Sequence, residues 1–226
     1  MKKLTYLLSI LILFMNCTSQ KNSKEFIDKA SGRYLFNANE VLEIYFVDGE
    51  MHAKWRGNDD IELLKVNDSS FYMKALNEKM VFMSKPTMRI ELAPKTEHEG
   101  VKYSFKKMGK DEKTPSEYFK NKEYDKALNA YLKIQATDSL NQTINERRLN
   151  TYGYRFLRAG KYEEAKEVFK INIALHPKSS NVYDSMADAF FNEGDTINAI
   201  EYYKKALKIN PENRSSKRQL DRLIKK

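Results

Sequence analysis

Three histidines, one cysteine and a single Ser-x-x-Lys are the groups in this sequence with which catalysis could begin. A serine nucleophile of that pattern needs its lysine one helical turn away, so that the amine can take the hydroxyl proton. Here the pattern is Ser104-Phe105-Lys106-Lys107, inside an alternating run that reads as a strand and would point Ser104 and Lys107 to opposite faces. His52, His98 and His176 lie far apart, with no His-x-x-x-His or Cys-His spacing for a metal. His98 falls in a polar loop and His176 precedes a proline, so both read as surface residues; His52 sits in the alternating phase of a strand and reads as a wall residue. There is no Gly-x-Ser-x-Gly and no glycine-rich phosphate loop. The sequence predicts no catalytic residue, no metal ligand and no cofactor, which leaves binding as the chemistry to look for.

Recognition groups do recur at a regular spacing. Gly160-Lys-Tyr-Glu-Glu-Ala165 is echoed by Gly194-Asp-Thr-Ile-Asn-Ala199, and Pro177 by Pro211, each 34 residues on. A fixed period of this length marks stacked helical hairpins, none of which can bury its apolar face alone. Tyr152, Gly153, Phe156, Gly160, Ala165, Phe169 and Pro177 in one copy, and Tyr183, Met186, Ala187, Phe190, Gly194, Ala199, Tyr203, Ala206 and Pro211 in the next, resemble the tetratricopeptide repeat. Small residues (Gly153, Ala187, Ala165, Ala199) would let helices cross closely, Phe169 and Tyr203 would fill the space between repeats, and Gly160 and Gly194 would end the first helices. Asn172 stands where the family has alanine, so packing there is expected to be less regular. An earlier partial copy, Lys122-Glu-Tyr-Asp-Lys-Ala127 with Tyr131, carries four extra residues within 137–143. It predicts a helix from Pro115 to Asn121 and another from Tyr124 to Ala136. Beyond Pro211, a capping helix is expected, with Leu220 and Ile224 covering the last repeat.

The resemblance implies that first helices line a concave, polypeptide-binding wall. By position, that wall would include Arg147, Asn150, Thr151, Tyr154 and Arg158 from one repeat and Asn181, Asp184, Asp188 and Phe191 from the next. Amide, guanidinium and aromatic groups in this mix suit an extended peptide. The family's clamp for a charged chain terminus uses a Lys and an Asn one turn apart, which Asn150, Tyr154 and Arg158 replace only loosely.

Residues 30–107 alternate with period two. Val41–Val47 and Glu50–Trp55 flank Asp48-Gly49, a tight-hairpin signal. Further runs at Ile61–Val66, Ser70–Lys74, Lys79–Met83, Met88–Leu92 and Lys102–Phe105 predict seven or eight short strands in a small antiparallel barrel or sandwich. Strand order and pattern resemble the β domain appended to serine-hydrolase, penicillin-binding-protein-related chains of Bacteroidota. Tyr45, Phe46, Trp55, Phe71, Tyr72, Met73, Met80, Phe82 and Met83 read as a filled core in preference to a ligand cavity. The fold class expected is therefore α+β: a small antiparallel β domain, a linker at 108–114, and an all-α repeat solenoid over 115–226. The solenoid divides into a partial repeat at 115–143, repeats at 146–179 and 180–213, and a cap at 214–226.

At the amino end, Lys2 and Lys3 precede a twelve-residue apolar run, Leu4–Met15, which at about 18 Å as a helix is too short to span a bilayer. It ends at Asn16-Cys17 before a polar stretch, and the arrangement resembles a Bacteroidota lipoprotein signal. That implies a signal peptide over 1–16, lipidation (palmitate among the acyl chains) on Cys17, a tether over 17–29, and placement in the cell envelope at the outer membrane. One cysteine allows no internal disulfide. Net charge is +9, with lysines and glutamates interleaved and no arginine-rich or basic-aromatic stripe, so nucleic acid is not expected as a partner. Other proteins or peptides are, together with the membrane through the anchor. A regulatory or ligand-binding accessory to a separate hydrolase is the alternative. Three Asp-Ser/Thr-aliphatic triplets, at 138–140, 184–186 and 195–197, look like the Bacteroidota O-glycosylation tripeptide, and only the first is expected to be accessible.

Overall fold

A computed structural model describes residues 21–225, so Cys17, the signal segment and the start of the tether lie outside the described residues. The chain divides into two compact units: the residues up to Tyr34 with Leu42–Lys107, and Leu35–Val41 with Met108–Lys226.

The first unit is a nearly barrel-shaped antiparallel sheet of nine strands: β1 (Gly32–Asn37), β2 (Glu40–Val47), β3 (Glu50–Trp55), β4 (Asn58–Glu62), β5 (Leu64–Asn67), β6 (Ser70–Met73), β7 (Glu78–Met83), β8 (Arg89–Leu92) and β9 (Ser104–Lys107). Their order is β4-β3-β2-β1-β9-β8-β7-β6-β5, which puts two strands that are neighbours in sequence at the two edges. The run expected as one strand over 61–66 is accordingly two, broken at Leu63. That residue is buried and its N–H donates to Met51 O at 3.0 Å, while the chain leaves β4 for the opposite edge.

The period-two pattern works as the pleat requires. Leu42 and Ile44 on β2, Met51 and Ala53 on β3, Phe71 and Met73 on β6, Met80 and Phe82 on β7, and Ile90 on β8 all point into the core. Asp48 and Gly49 both take positive φ, so the β2–β3 connection is the tight turn read from the sequence.

The segment expected as free tether ends in a helix, α1 (Lys24–Ala30). The Ser23 side chain accepts from Phe26 N–H as the N-cap. Phe26 then stacks on Phe71 (5.6 Å, 14°) and meets Phe82 and Phe46 edge-on. Tyr34 OH donates to Ala30 O at 2.8 Å, and Lys107 Nζ to Lys29 O at 2.6 Å, satisfying carbonyls at the helix end. His98 is not a surface residue: its side chain is 9 % exposed, its Nε2 lies 3.0 Å from Glu78 Oε1, and its ring meets Tyr103.

The second unit is helical: α2 (Pro115–Lys120), α3 (Tyr124–Thr137), α4 (Glu146–Arg158), α5 (Tyr162–Leu175), α6 (Ser180–Glu193), α7 (Thr196–Ile209) and α8 (Arg214–Ile224). Thr114 and Glu117 form a capping box ahead of Pro115. Gly194 caps α6 in the left-handed region, and Gly160 takes φ +70° just beyond α4. The close crossings occur where small residues were expected: Ala165, Ala187, Ala199 and Ala206 are fully buried, as are Phe169 and Tyr203. Asn172 is also fully buried, and its Nδ2 donates to Glu146 O at 3.1 Å, so the amide ties α5 to the start of α4 in place of an alanine contact. His176, expected at the surface, is half-buried with Nε2 2.8 Å from Ile144 O. In the cap, Leu220 and Leu223 pack on Tyr203 and its neighbours, whereas Ile224 is 61 % exposed, one position out of phase with the apolar stripe.

Candidate protein-interaction face

Residues 147, 151, 154 and 158 are spaced i, i+4, i+7 and i+11, so they share one face of α4, with Asn150 at its margin. Arg147, Thr151 and Arg158 are exposed, whereas Asn150 and Tyr154 are half-buried. The opposite stripe of α4, Leu149, Gly153 and Leu157, is buried against neighbouring helices. Thr151 Oγ1 donates back to Arg147 O at 2.9 Å, which leaves its methyl as the outward group.

The neighbouring wall is α6. Asn181 is exposed and donates to Glu146 Oε1 at 3.2 Å, while Ser179 Oγ donates to the same oxygen at 3.0 Å. Phe191 is half-buried. Asp188 is the hub. Its Oδ2 accepts the Tyr154 hydroxyl at 2.7 Å and its Oδ1 the Tyr203 hydroxyl at 2.5 Å, joining α4, α6 and α7. Burial first, and then Asp188, mainly by its charge at Tyr154 and by its hydrogen bond at Tyr203, push both phenols far above the ordinary tyrosine range, so both remain donors.

Asp184 departs from its expected place on the exposed wall. It is 6 % exposed and accepts the hydroxyl of Ser216, itself fully buried, which fastens α8 onto α6. Burial raises the Asp184 carboxyl above the ordinary aspartate value, with the Asp188 charge adding and the Ser216 hydrogen bond opposing. A carboxyl with a raised folded-state pKa contributes stability below its ordinary value of 3.8, and that contribution is lost as pH rises through the raised value. Asp184→Asn keeps an acceptor for Ser216 and removes the buried charge. Its melting temperature at pH 7 to 8 should exceed that of the parent by about 2–4 °C, the shift produced by roughly 1 kcal/mol in a chain of this size. The gain should vanish on acidification towards about pH 4; a gain that is the same across the range in thermal unfolding followed by circular dichroism would contradict the assignment.

Of the three Asp-Ser/Thr-aliphatic triplets, Ser139 lies exposed in the turn after α3 and Ser185 is fully buried. Thr196, against expectation, is exposed at the first turn of α7 beside Ile197, which is 80 % exposed. Among the described residues no group of three or more His, Cys, Asp and Glu is placed to hold a metal ion.

The helices of this unit stand in a tetratricopeptide-like arrangement. A tetratricopeptide repeat family model matches residues 180–213, the α6–α7 hairpin. Among solved structures, the chain is similar to the first tetratricopeptide domain of Spaghetti (RPAP3) bound to the HSP90 peptide SRMEEVD (22% identity, 49% of this chain and 85% of that one, TM-score 0.35). It is similar also to the second such domain of human RPAP3 in complex with the HSP70 peptide SGPTIEEVD (23% identity, 50% and 90%, TM-score 0.35). A third is the Sgt2 tetratricopeptide domain from Aspergillus fumigatus (23% identity, 49% and 72%, TM-score 0.35). No curated protein sequence matches the chain.

Proposed function

We propose that the helical unit is a protein-interaction module that holds a second polypeptide along the α4–α6 face, and that the chain acts by binding instead of catalysis. In this reading it is exported and anchored in the cell envelope through an acylated Cys17. Three acyl chains, at about 0.8 kcal/mol for each buried methylene, would make the anchoring permanent.

The observation that carries the reading is the Tyr154–Asp188–Tyr203 hub. It fixes three helices to one another from beneath, while Arg147, Thr151, Arg158 and Asn181 stay outward and exposed. A binding surface needs a wall whose shape is set before the partner arrives, because ordering it on contact subtracts from affinity.

Photo-crosslinking in cells producing the full chain tests this. A benzophenone amino acid at Thr151, an exposed position on the proposed wall, should give an adduct with a discrete polypeptide. The same probe at Lys170, exposed on α5, should not. Equal labelling at both positions, or adducts with lipid alone, would contradict the reading.

A further inference from the structure

The period that orders the helical unit is broken once. Ala127 and Ala165 stand 38 residues apart where the later copies keep 34, and the four extra residues fall within 137–143. Stacking does not require them, because the following hairpins pack without them. They are nonetheless pinned. Asp138 Oδ1 accepts Leu140 N–H at 3.2 Å and its Oδ2 the Asn141 amide at 3.0 Å, while Asn141 Oδ1 accepts Thr143 N–H at 3.0 Å. A single 3-10 turn, Gln142–Ile144, follows, and the buried Ile144 side chain anchors it. The Gln142 carboxamide is left exposed and forms no hydrogen bond among the described residues.

This joint is one wall of a cavity of about 870 Å³, inside the range of roughly 300–1,000 Å³ usual for small-ligand sites. The other walls come from α2, α3, α4 and residues 35–41, all within the helical unit. Asn37 Oδ1 accepts Asn39 N–H at 3.0 Å, and Asn39 Oδ1 accepts Ser116 N–H at 2.8 Å, so both amides have a fixed orientation. Tyr152, half-buried, is held by Phe119 at 5.8 Å and Phe156 at 5.0 Å, and its hydroxyl forms no hydrogen bond among the described residues. Arg147, Thr151, Tyr154 and Arg158 do not line this cavity, which is therefore separate from the wall described above.

The lining selects against charged and apolar ligands alike. Its two cations, Lys120 and Arg148, are equalled by two acids, Glu40 and Asp138, which favours neither sign. An apolar ligand would take four carboxamides, those of Asn37, Asn39, Asn141 and Gln142, out of water with nothing in return. A carboxamide carries donor and acceptor side by side, and neighbouring hydroxyls on a sugar ring, each able to donate and accept, match both at once. The C–H face of such a ring suits an aromatic side chain that also has a polar tip, as Tyr152 has. We propose that this cavity binds a neutral, polyhydroxylated ligand of the saccharide class, with the four carboxamides on its hydroxyls and Tyr152 against the ring. The four extra residues are then there to build the site, since they supply the Asn141 and Gln142 amides.

The test is an array of immobilised neutral and acidic glycans probed with the purified full chain. Neutral glycans should be bound in preference to acidic ones, and the same oligosaccharide added free in solution should displace the chain. Gln142→Ala combined with Tyr152→Phe should bind roughly tenfold more weakly, the order of loss expected when two neutral hydrogen bonds are removed. The melting temperature of that variant should stay at the parent value, because neither group has a hydrogen bond within the chain to lose. A capped peptide of Ser, Thr, Asn and Gly should not compete. Binding to no glycan, a preference for acidic ones, displacement by the peptide, or binding untouched by the paired substitution would each overturn the proposal. The Thr151 adduct reads a different face, so its presence or absence bears only on the interaction reading.

Discussion

Gly153→Ala should destabilise the helical unit by about 2–3 kcal/mol, although glycine to alanine inside an exposed helix ordinarily gains nearly 1 kcal/mol. The sign reverses because a Cβ at 153 would lie 2.3 Å from Phe169 Cε1 and 2.7 Å from its Cζ. Phe169 is fully buried, with Tyr154 edge-on against it at 5.3 Å, so its ring has nowhere to retreat. Overpacking of this kind costs about 1–3 kcal/mol and more when a rigid ring must move. Urea unfolding of the variant measures the loss. Phe169→Leu, which shortens the obstacle, should recover at least about 1 kcal/mol of it in a double-mutant cycle. Gly160→Ala provides the contrast: nothing lies within 4 Å of its Cβ, and only the positive φ of +70° penalises it, by about 1–2 kcal/mol. A Gly153→Ala protein as stable as the parent would mean that α4 and α5 do not cross as closely as described.

Asp188→Ala should cost about 3 kcal/mol. The substitution strands two phenol hydroxyls at once, that of Tyr203 in a fully buried side chain and that of Tyr154 in a half-buried one. Each unmet buried hydroxyl costs about 1–3 kcal/mol. Asp188→Asn retains one acceptor and should lose about half as much, whereas Tyr203→Phe, which removes a donor together with its need for a partner, should lose about 1 kcal/mol. Because the hub joins α4, α6 and α7, the loss should appear as a cooperative shift of the whole unit in urea unfolding. A loss under about 0.5 kcal/mol for Asp188→Ala would place the phenols in contact with water or with another acceptor, and would remove the rigid floor from the proposed binding wall.

The paired helices were legible because the 34-residue period is written in residues that physics restricts. Only small side chains permit the crossings at Gly153, Ala165, Ala187 and Ala199, and left-handed turns favour Gly160 and Gly194. The antiparallel hairpin at Asp48-Gly49 was legible for the same reason. The hub was not. Tyr154 and Asp188 occupy the same position in successive repeats, 34 residues apart, and both were read as outward wall residues. The usable signal was that offset: a donor and an acceptor at equivalent positions of adjacent repeats face each other across the helix pair. The bonds Asp184–Ser216, Ser179–Glu146 and Asn181–Glu146 span nearly the same interval, so searching at one repeat's distance would have moved Asp184 and Asp188 from the ligand side to the frame.

Other departures came from closure in three dimensions. Whether Ile61–Val66 is one strand or two depends on where the far edge of the sheet lies, and no local pattern encodes that. Helix α1 owes its place to Phe26 meeting Phe71 and Phe82, ring contacts between segments more than forty residues apart. His98 was misread because its partner, Glu78, sits twenty residues away on β7.

Hydrogen exchange read by mass spectrometry tests the central claim most directly, using the full chain with and without the polypeptide captured through Thr151. Protection should rise in peptides covering the outward faces of α4 and α6, above all residues 146–158 and 180–193, and remain unchanged across β1–β9. Protection that rises in the sheet, or in α5 and α7 while α4 stays as it was, would contradict the claim that this polypeptide is held on the α4–α6 wall.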